Sequence, residues 1–299
     1  MKKIIKLVMF VFLAMMLAAC SGGSGNGGNG KKSLADDDVL ALHFTAPGEY
    51  SEVERYCERK TDGSLIEKDI VFNFNEDESV GYAVMPGEKL ADMTNVDNLE
   101  QYEVNGFTVY RIDSGNDMIA FIQNGDDLYA IDRRMTEVDD GTVLKEIVSN
   151  VSFTGNTTTD FDEPAFEEIN YELDKDHTLY KTSTRVVEDR EGNLVRKFVN
   201  WTYGDEKTTD FTFAIRAYKN KTLEDMLSTD STYEDAEYNG VAYKALVNSS
   251  GDPSYAYYTQ QGNDVYLIRN NGDDSGWFVD RSADSYACFE KLLNSISFK

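Results

Sequence analysis

Three cysteines, two histidines, four prolines and two tryptophans are all that 299 residues contain. Cys20, Cys57 and Cys288 are too few for a disulfide framework. Neither His43 nor His177 has a metal-binding partner at ligand spacing, so no zinc site and no histidine general base is expected. Without histidine support a serine or cysteine nucleophile has little to activate it. G-x-S-x-G, P-loop and S-x-x-K motifs are also missing. Positive charge is scarce: 29 Lys and Arg stand against 54 Asp and Glu, a net −25. Such a surface repels nucleic acid and anionic headgroups, and keeps the chain in solution. Few prolines with 12% aromatics point to a sheet-rich body rather than disorder. Apart from Leu7 to Leu17, no hydrophobic run approaches a membrane span, and this one is short for a permanent helix.

That run is informative by its neighbours. Lys2, Lys3 and Lys6 precede it, and Leu17-Ala18-Ala19-Cys20 ends it. The order of charge, apolar run, small residues and cysteine resembles the lipobox of bacterial lipoproteins. The resemblance implies that residues 1–19 are a signal peptide and that Cys20 carries the lipid. Two acyl chains, at about 0.8 kcal/mol per buried CH₂, suffice for stable anchoring. Residues 20–37 include the stretch SGGSGNGGNGKKS, which reads as a flexible tether. The remainder is then expected on the extracytoplasmic face of the cell membrane.

The body contains an internal echo. QNGDDLYAI at Gln123–Ile131 returns as QQGNDVYLI at Gln260–Ile268. Asp62-Gly63-Ser64-Leu65 matches Glu191-Gly192-Asn193-Leu194, and Leu90-Ala91-Asp92-Met93 matches Leu223-Glu224-Asp225-Met226. Val104-Asn105-Gly106 matches Tyr238-Asn239-Gly240, and Ile147–Phe153 matches Leu292–Phe298. Collinear matches predict a tandem duplication: copy 1 over 38–154, a linker over 155–165, copy 2 over 166–299. Alternation supports a common fold, because Ile66, Lys68, Ile70, Phe72 and Phe74 share a face, as do Val195, Lys197, Val199, Trp201 and Tyr203. Lys68 and Lys197 are expected to lay their stems along the sheet, with the ammonium in water.

Each copy reads as a short first strand (39–44, 166–171), two long strands (53–60 and 65–74; 179–187 and 194–203) and a third (79–85, 210–218). A short helix with Leu90 and Met93, or Leu223, Met226 and Leu227, comes next. Three hairpin strands follow at 107–112, 117–123 and 127–133, or 241–246, 255–260 and 264–269. A closing helix carries Val143, Leu144, Ile147 and Val148, or Cys288, Phe289, Leu292 and Leu293, and a short strand ends the copy. The predicted class is therefore α+β: two tandem homologous domains, each an antiparallel sheet with two helices packed on it. This element order resembles the PsbP-like α+β sandwich, whose members mostly act as partner-binding or assembly modules.

Cys57 and Cys288 align with Val186 and Val143, which reads them as small buried apolar groups; a disulfide between them is the alternative. The acidic stretches NEDES (Asn75–Ser79), NGDD (Asn124–Asp127) and NNGDDSG (Asn270–Gly276) read as turns, with incidental Ca²⁺ binding as the alternative. No cofactor is expected. The aromatic residues Tyr255, Tyr257 and Tyr258, with Trp201 and Trp277, form the candidate binding surface, in copy 2 alone. The functional expectation is a monomeric, lipid-anchored, non-catalytic binding or assembly module for an extracellular protein or glycan. A carboxylate-based hydrolase acting on cell-surface carbohydrate, and a structural spacer of a surface complex, are the alternatives.

Overall fold

The computed structural model describes residues 39, 41–93, 99–114, 116–136, 141–153, 166, 168–206, 208–248, 253–270 and 282–299. Cys20, the tether, the linker and Trp277 lie outside the described residues. These fall into two compact units, one within Met1–Cys57, Leu65–Asp162 and Val187–Asn193, the other within Glu58–Ser64, Glu163–Val186 and Leu194–Lys299.

The first half of the chain supplies β1 (Leu42–His43), β2 (Glu52–Lys60), β3 (Leu65–Asn73), β4 (Ser79–Met85), a 3₁₀ turn (Leu90–Met93), β5 (Glu100–Val104), β6 (Phe107–Ser114), β7 (Asp117–Asn124), β8 (Asp127–Arg134), α1 (Thr142–Ser149) and β9 (Ser152–Phe153). The second supplies β10 (Ile169–Asn170), β11 (Leu179–Asp189), β12 (Leu194–Gly204), β13 (Thr209–Tyr218), the single-turn α2 (Leu223–Met226), β14 (Tyr233–Tyr238), β15 (Val241–Leu246), β16 (Ala256–Gln261), β17 (Asp264–Asn270), α3 (Ala283–Ser295) and β18 (Ser297–Phe298). The order β5-β6-β7-β8-β4-β3-β2 recurs as β14-β15-β16-β17-β13-β12-β11, and β1-β9 recurs as β10-β18.

The α+β expectation is corrected. Among the described residues the protein is mostly β: one half carries the antiparallel order β2-β3-β4-β8-β7-β6-β5 and the other β11-β12-β13-β17-β16-β15-β14, with little helix beside either. Nor do two helices pack on each half, as the sandwich resemblance implied. α1 buries Leu144 and Val148, and α3 buries Cys288, Phe289, Leu292 and Leu293. The other expected helix is a single turn in each half, and α2 buries nothing. One turn fixes three residues for one hydrogen bond, so it does not extend without an apolar stripe to bury. α2 survives as a capping box: Thr222 accepts from the Asp225 amide and Asp225 from the Thr222 amide.

Alternation sorts the side chains of the first unit into two clusters. Val80, Tyr82 and Val84 of β4, with Tyr129 and Ile131 of β8, face Leu144 and Val148 of α1. Ala83, Met85, Phe121, Leu128 and Ala130 face the other way, with Leu90 and Leu99 against them. In the second unit Trp201, Tyr203, Phe213, Ile215, Tyr257 and Ile268 pack with Phe289, Leu292 and Leu293 of α3. Burying one such phenylalanine contributes about 2–3 kcal/mol.

β5 and β14 join each predicted three-strand hairpin set, making it a four-strand meander. The Asn-Gly turns that make these hairpins take positive φ at both residues, 50° and 81° at Asn105-Gly106, 50° and 75° at Asn239-Gly240. Each asparagine amide also donates to the end of the closing helix, Asn105 to the Ser149 carbonyl and Asn239 to that of Ile296. The recurrent glutamine has one task in both halves: its side-chain oxygen accepts the Leu90 amide (Gln123, 2.9 Å) or the Leu223 amide (Gln260, 3.1 Å). The recurrent aspartate likewise accepts from Gly87 (Asp127) or Asn220 (Asp264).

Candidate functional site

The aromatic candidates separate on the sheet. Trp201 on β12 is 3% exposed, its ring 4.9 Å from Tyr171. Tyr257 on β16 is 6% exposed and stands among Tyr238, Tyr243 and Phe289, and burial pushes its phenol pKa up. Both belong to the core beneath α3 and present no open ring. Tyr258, one residue on, points to the opposite face and is half-buried, edge-on to Tyr233 of β14 at 5.9 Å. Tyr255 is half-buried just before β16. β14 is a terminal strand of the sheet among the described residues, with Glu234, Asp235 and Glu237 exposed. Lys244 of β15 pairs with Asp235, and Val247, just past β15, is the exposed large hydrophobic residue among those described.

The acidic stretches behave as turns where they are described. Asn75 accepts from the Asp77 amide and donates to Glu78, and Asp126 pairs with Lys89. NNGDDSG beyond Asn270 lies outside the described residues. Two other carboxylates converge: Asp132 of β8 and Asp117 of β7 are 4% and 8% exposed. Burial, with Asp117 nearby, pushes Asp132 up to about 7. Gly81 on β4 faces it, and a Cβ there would stand 2.0 Å from Asp132 Oδ1, so only hydrogen fits.

The lysine expectation is corrected for Lys197. It is 5% exposed rather than reaching water, its ammonium 3.1 Å from Glu168 and 4.5 Å from the centre of the Phe166 ring. Glu168 also receives Lys219 at 3.3 Å and the Tyr266 hydroxyl at 3.3 Å. Lys68 is buried as well, at 4%.

Cys57 and Cys288 are both buried, and the two are not bridged. No partner was expected at His177, yet the structure gathers Asp174, Cys288 and Asp284 around it. The loop before β11 turns on Asp174, whose Oδ2 accepts the backbone amides of Asp176 and His177. This turn sets the His177 ring so that Nδ1 lies 2.9 Å from Asp174 Oδ2 and 3.6 Å from Cys288 Sγ on α3. Nε2 lies 3.0 Å from Asp284, in the first turn of α3. Asp174, His177 and Cys288 each offer one ligand atom, all within 4.8 Å of one another. The Asp174 side chain is 2% exposed; its Oδ1 accepts no hydrogen bond, with the Lys291 ammonium 3.6 Å away. The hydrogen bond to Asp174 pushes His177 up, and burial followed by Asp174 and Asp284 pushes the Cys288 thiol up to about 11. Thiol and carboxylate meet the same ring nitrogen, so the imidazole does not relay a proton between them as a nucleophilic triad would. Asp174 at three residues' spacing was the available signal; Cys288 comes 111 residues later.

No helix among the described residues is long and apolar enough to cross a membrane. No family model matches the chain, and no curated protein does. Among solved structures, a crystal form of TP0453 aligns at 8% identity over 75% of this chain and 90% of its own, with a TM-score of 0.32. The immunity protein TplEi of the T6SS from Pseudomonas aeruginosa, complexed with "L" peptide, aligns at 10% identity over 89% and 99%, with a TM-score of 0.23. MucB in complex with MucA(peri) aligns at 8% identity over 83% and 93%, with a TM-score of 0.16. Likeness at these scores gives neither a family nor an activity.

Proposed function

We propose that this chain is a monomeric, lipid-anchored binding module, held outside the cytoplasm by acylated Cys20 and built by duplication of one ancestral unit. It engages a protein partner along β14, and is not a catalyst. The observation that carries this reading is the β14 margin: a terminal strand with three exposed acids, flanked by Tyr233, Tyr258 and the exposed Val247. Terminal strands offer backbone donors and acceptors to an added strand, and neighbouring side chains select which strand. The exposed acids favour a basic partner segment. The shared hydrogen bonds of Gln123 and Gln260 support the duplication.

A photo-crosslinking residue at Glu234 on β14, in intact cells, should give a discrete protein adduct. The same residue at Glu103 on β5 should not, and Tyr233→Ser with Tyr258→Ser should remove the Glu234 adduct. Equal yields at both positions, or an adduct indifferent to the two tyrosines, would overturn the assignment.

A further inference from the structure

We propose that Asp174, His177 and Cys288 form a binding site for a divalent transition-metal cation, with Zn²⁺ the best match. The donor set is one oxygen, one nitrogen and one sulfur, and the thiolate–imidazole pair selects zinc over calcium or magnesium. With Zn–S near 2.3 Å and Zn–N near 2.0 Å, a tetrahedral ion separates those two donors by about 3.5 Å. Sγ and Nδ1 stand 3.6 Å apart. On the same bond lengths the nitrogen–oxygen pair needs about 3.3 Å, so the 2.9 Å hydrogen bond between His177 and Asp174 opens by a few tenths.

Two further features point to a cation. Asp174 Oδ1 is a buried carboxylate oxygen that accepts no hydrogen bond, its nearest cation the Lys291 ammonium at 3.6 Å. The remaining ring nitrogen of His177 meets the Asp284 carboxylate at 3.0 Å. A metal-binding histidine normally gives its second N–H to a carboxylate in this way, which turns the other lone pair toward the ion. Coordination releases the thiol proton and any Nδ1 proton to solvent, and the Lys291 ammonium gives up Asp174 for Asp176, which it already holds at 2.8 Å. The ion would tie the loop before β11 to α3, with a water filling the fourth position.

The test uses the full chain, stripped with a chelator and titrated with Zn²⁺ alone, then with Co²⁺ as a spectroscopic substitute. One equivalent should bind, raise the melting temperature, and in the cobalt form show sulfur-to-metal charge-transfer absorption. Cys288→Ser should abolish that absorption although Cys57 remains. Asp284→Asn, at an exposed position that leaves the core alone, should weaken Zn²⁺ by about 10–100-fold. Absorption that survives Cys288→Ser, Zn²⁺ affinity unchanged in both variants, or no binding to the folded chain would overturn the site.

Discussion

Asp132 gives the sharpest energetic expectation. Its carboxyl is 4% exposed above Gly81, beside Asp117 and the Arg133 guanidinium. Burial moves its pKa from the ordinary 3.8 to about 7. The native state thus binds this proton more tightly than the unfolded chain does. Its contribution is most favourable below about pH 4, and declines as pH rises through 4 to 7. Each pKa unit is worth about 1.4 kcal/mol, so ionised Asp132 costs at most about 4 kcal/mol above pH 7, and relaxation of the surroundings makes about 2–4 kcal/mol the working figure. Asp132→Asn keeps the shape and removes the ionisation. Urea unfolding at pH 5 and pH 8 spans about two of those pKa units, so the variant should gain about 2 kcal/mol, and at most about 2.7 kcal/mol, on the wild type between the two. Parallel losses in both proteins would refute a proton held by Asp132.

Three other outcomes follow from burial and pairing. Trp201→Ala should destabilise by about 3–5 kcal/mol in denaturant titration, because the ring fills the core beneath α3. Glu168→Gln should cost about 1–2 kcal/mol rather than the full value of a buried pair, since its side chain is 30% exposed, and the loss should appear in thermal unfolding. Gln123→Ala and Gln260→Ala should each cost about 1 kcal/mol and raise amide exchange at Leu90 and Leu223 respectively; exchange unaltered in either half would remove the shared role.

Much of the strand order was legible because alternation and Asn-Gly or Asp-Gly turns are local signals. The bounds 79–85 of β4 are those read from sequence, and the stripe Cys288, Phe289, Leu292 and Leu293 is the buried face of α3. β5 and β14 escaped because a terminal strand buries half a face at most, and EQYEV and YEDAEY look like acidic loops. The single turns at Leu90 and Leu223 were read as helices because two apolar residues three apart fit one turn as well as many. Which strands become neighbours in a sheet leaves no mark on periodicity, so the pairing order within each half was out of reach. Tyr257 and Tyr258 differ only in the face they occupy, and composition does not tell a core aromatic from a surface one. The Asp174–His177–Cys288 cluster needed the fold to bring α3 onto the loop before β11.

The binding claim rests on β14, and amide hydrogen exchange there bears on it most directly. The measurement compares the protein in membranes of the cells that make it with the purified chain. The account predicts that amides of Tyr233–Tyr238 slow in membranes while those of β5 exchange alike in both samples. Identical exchange along β14 in the two samples would contradict it.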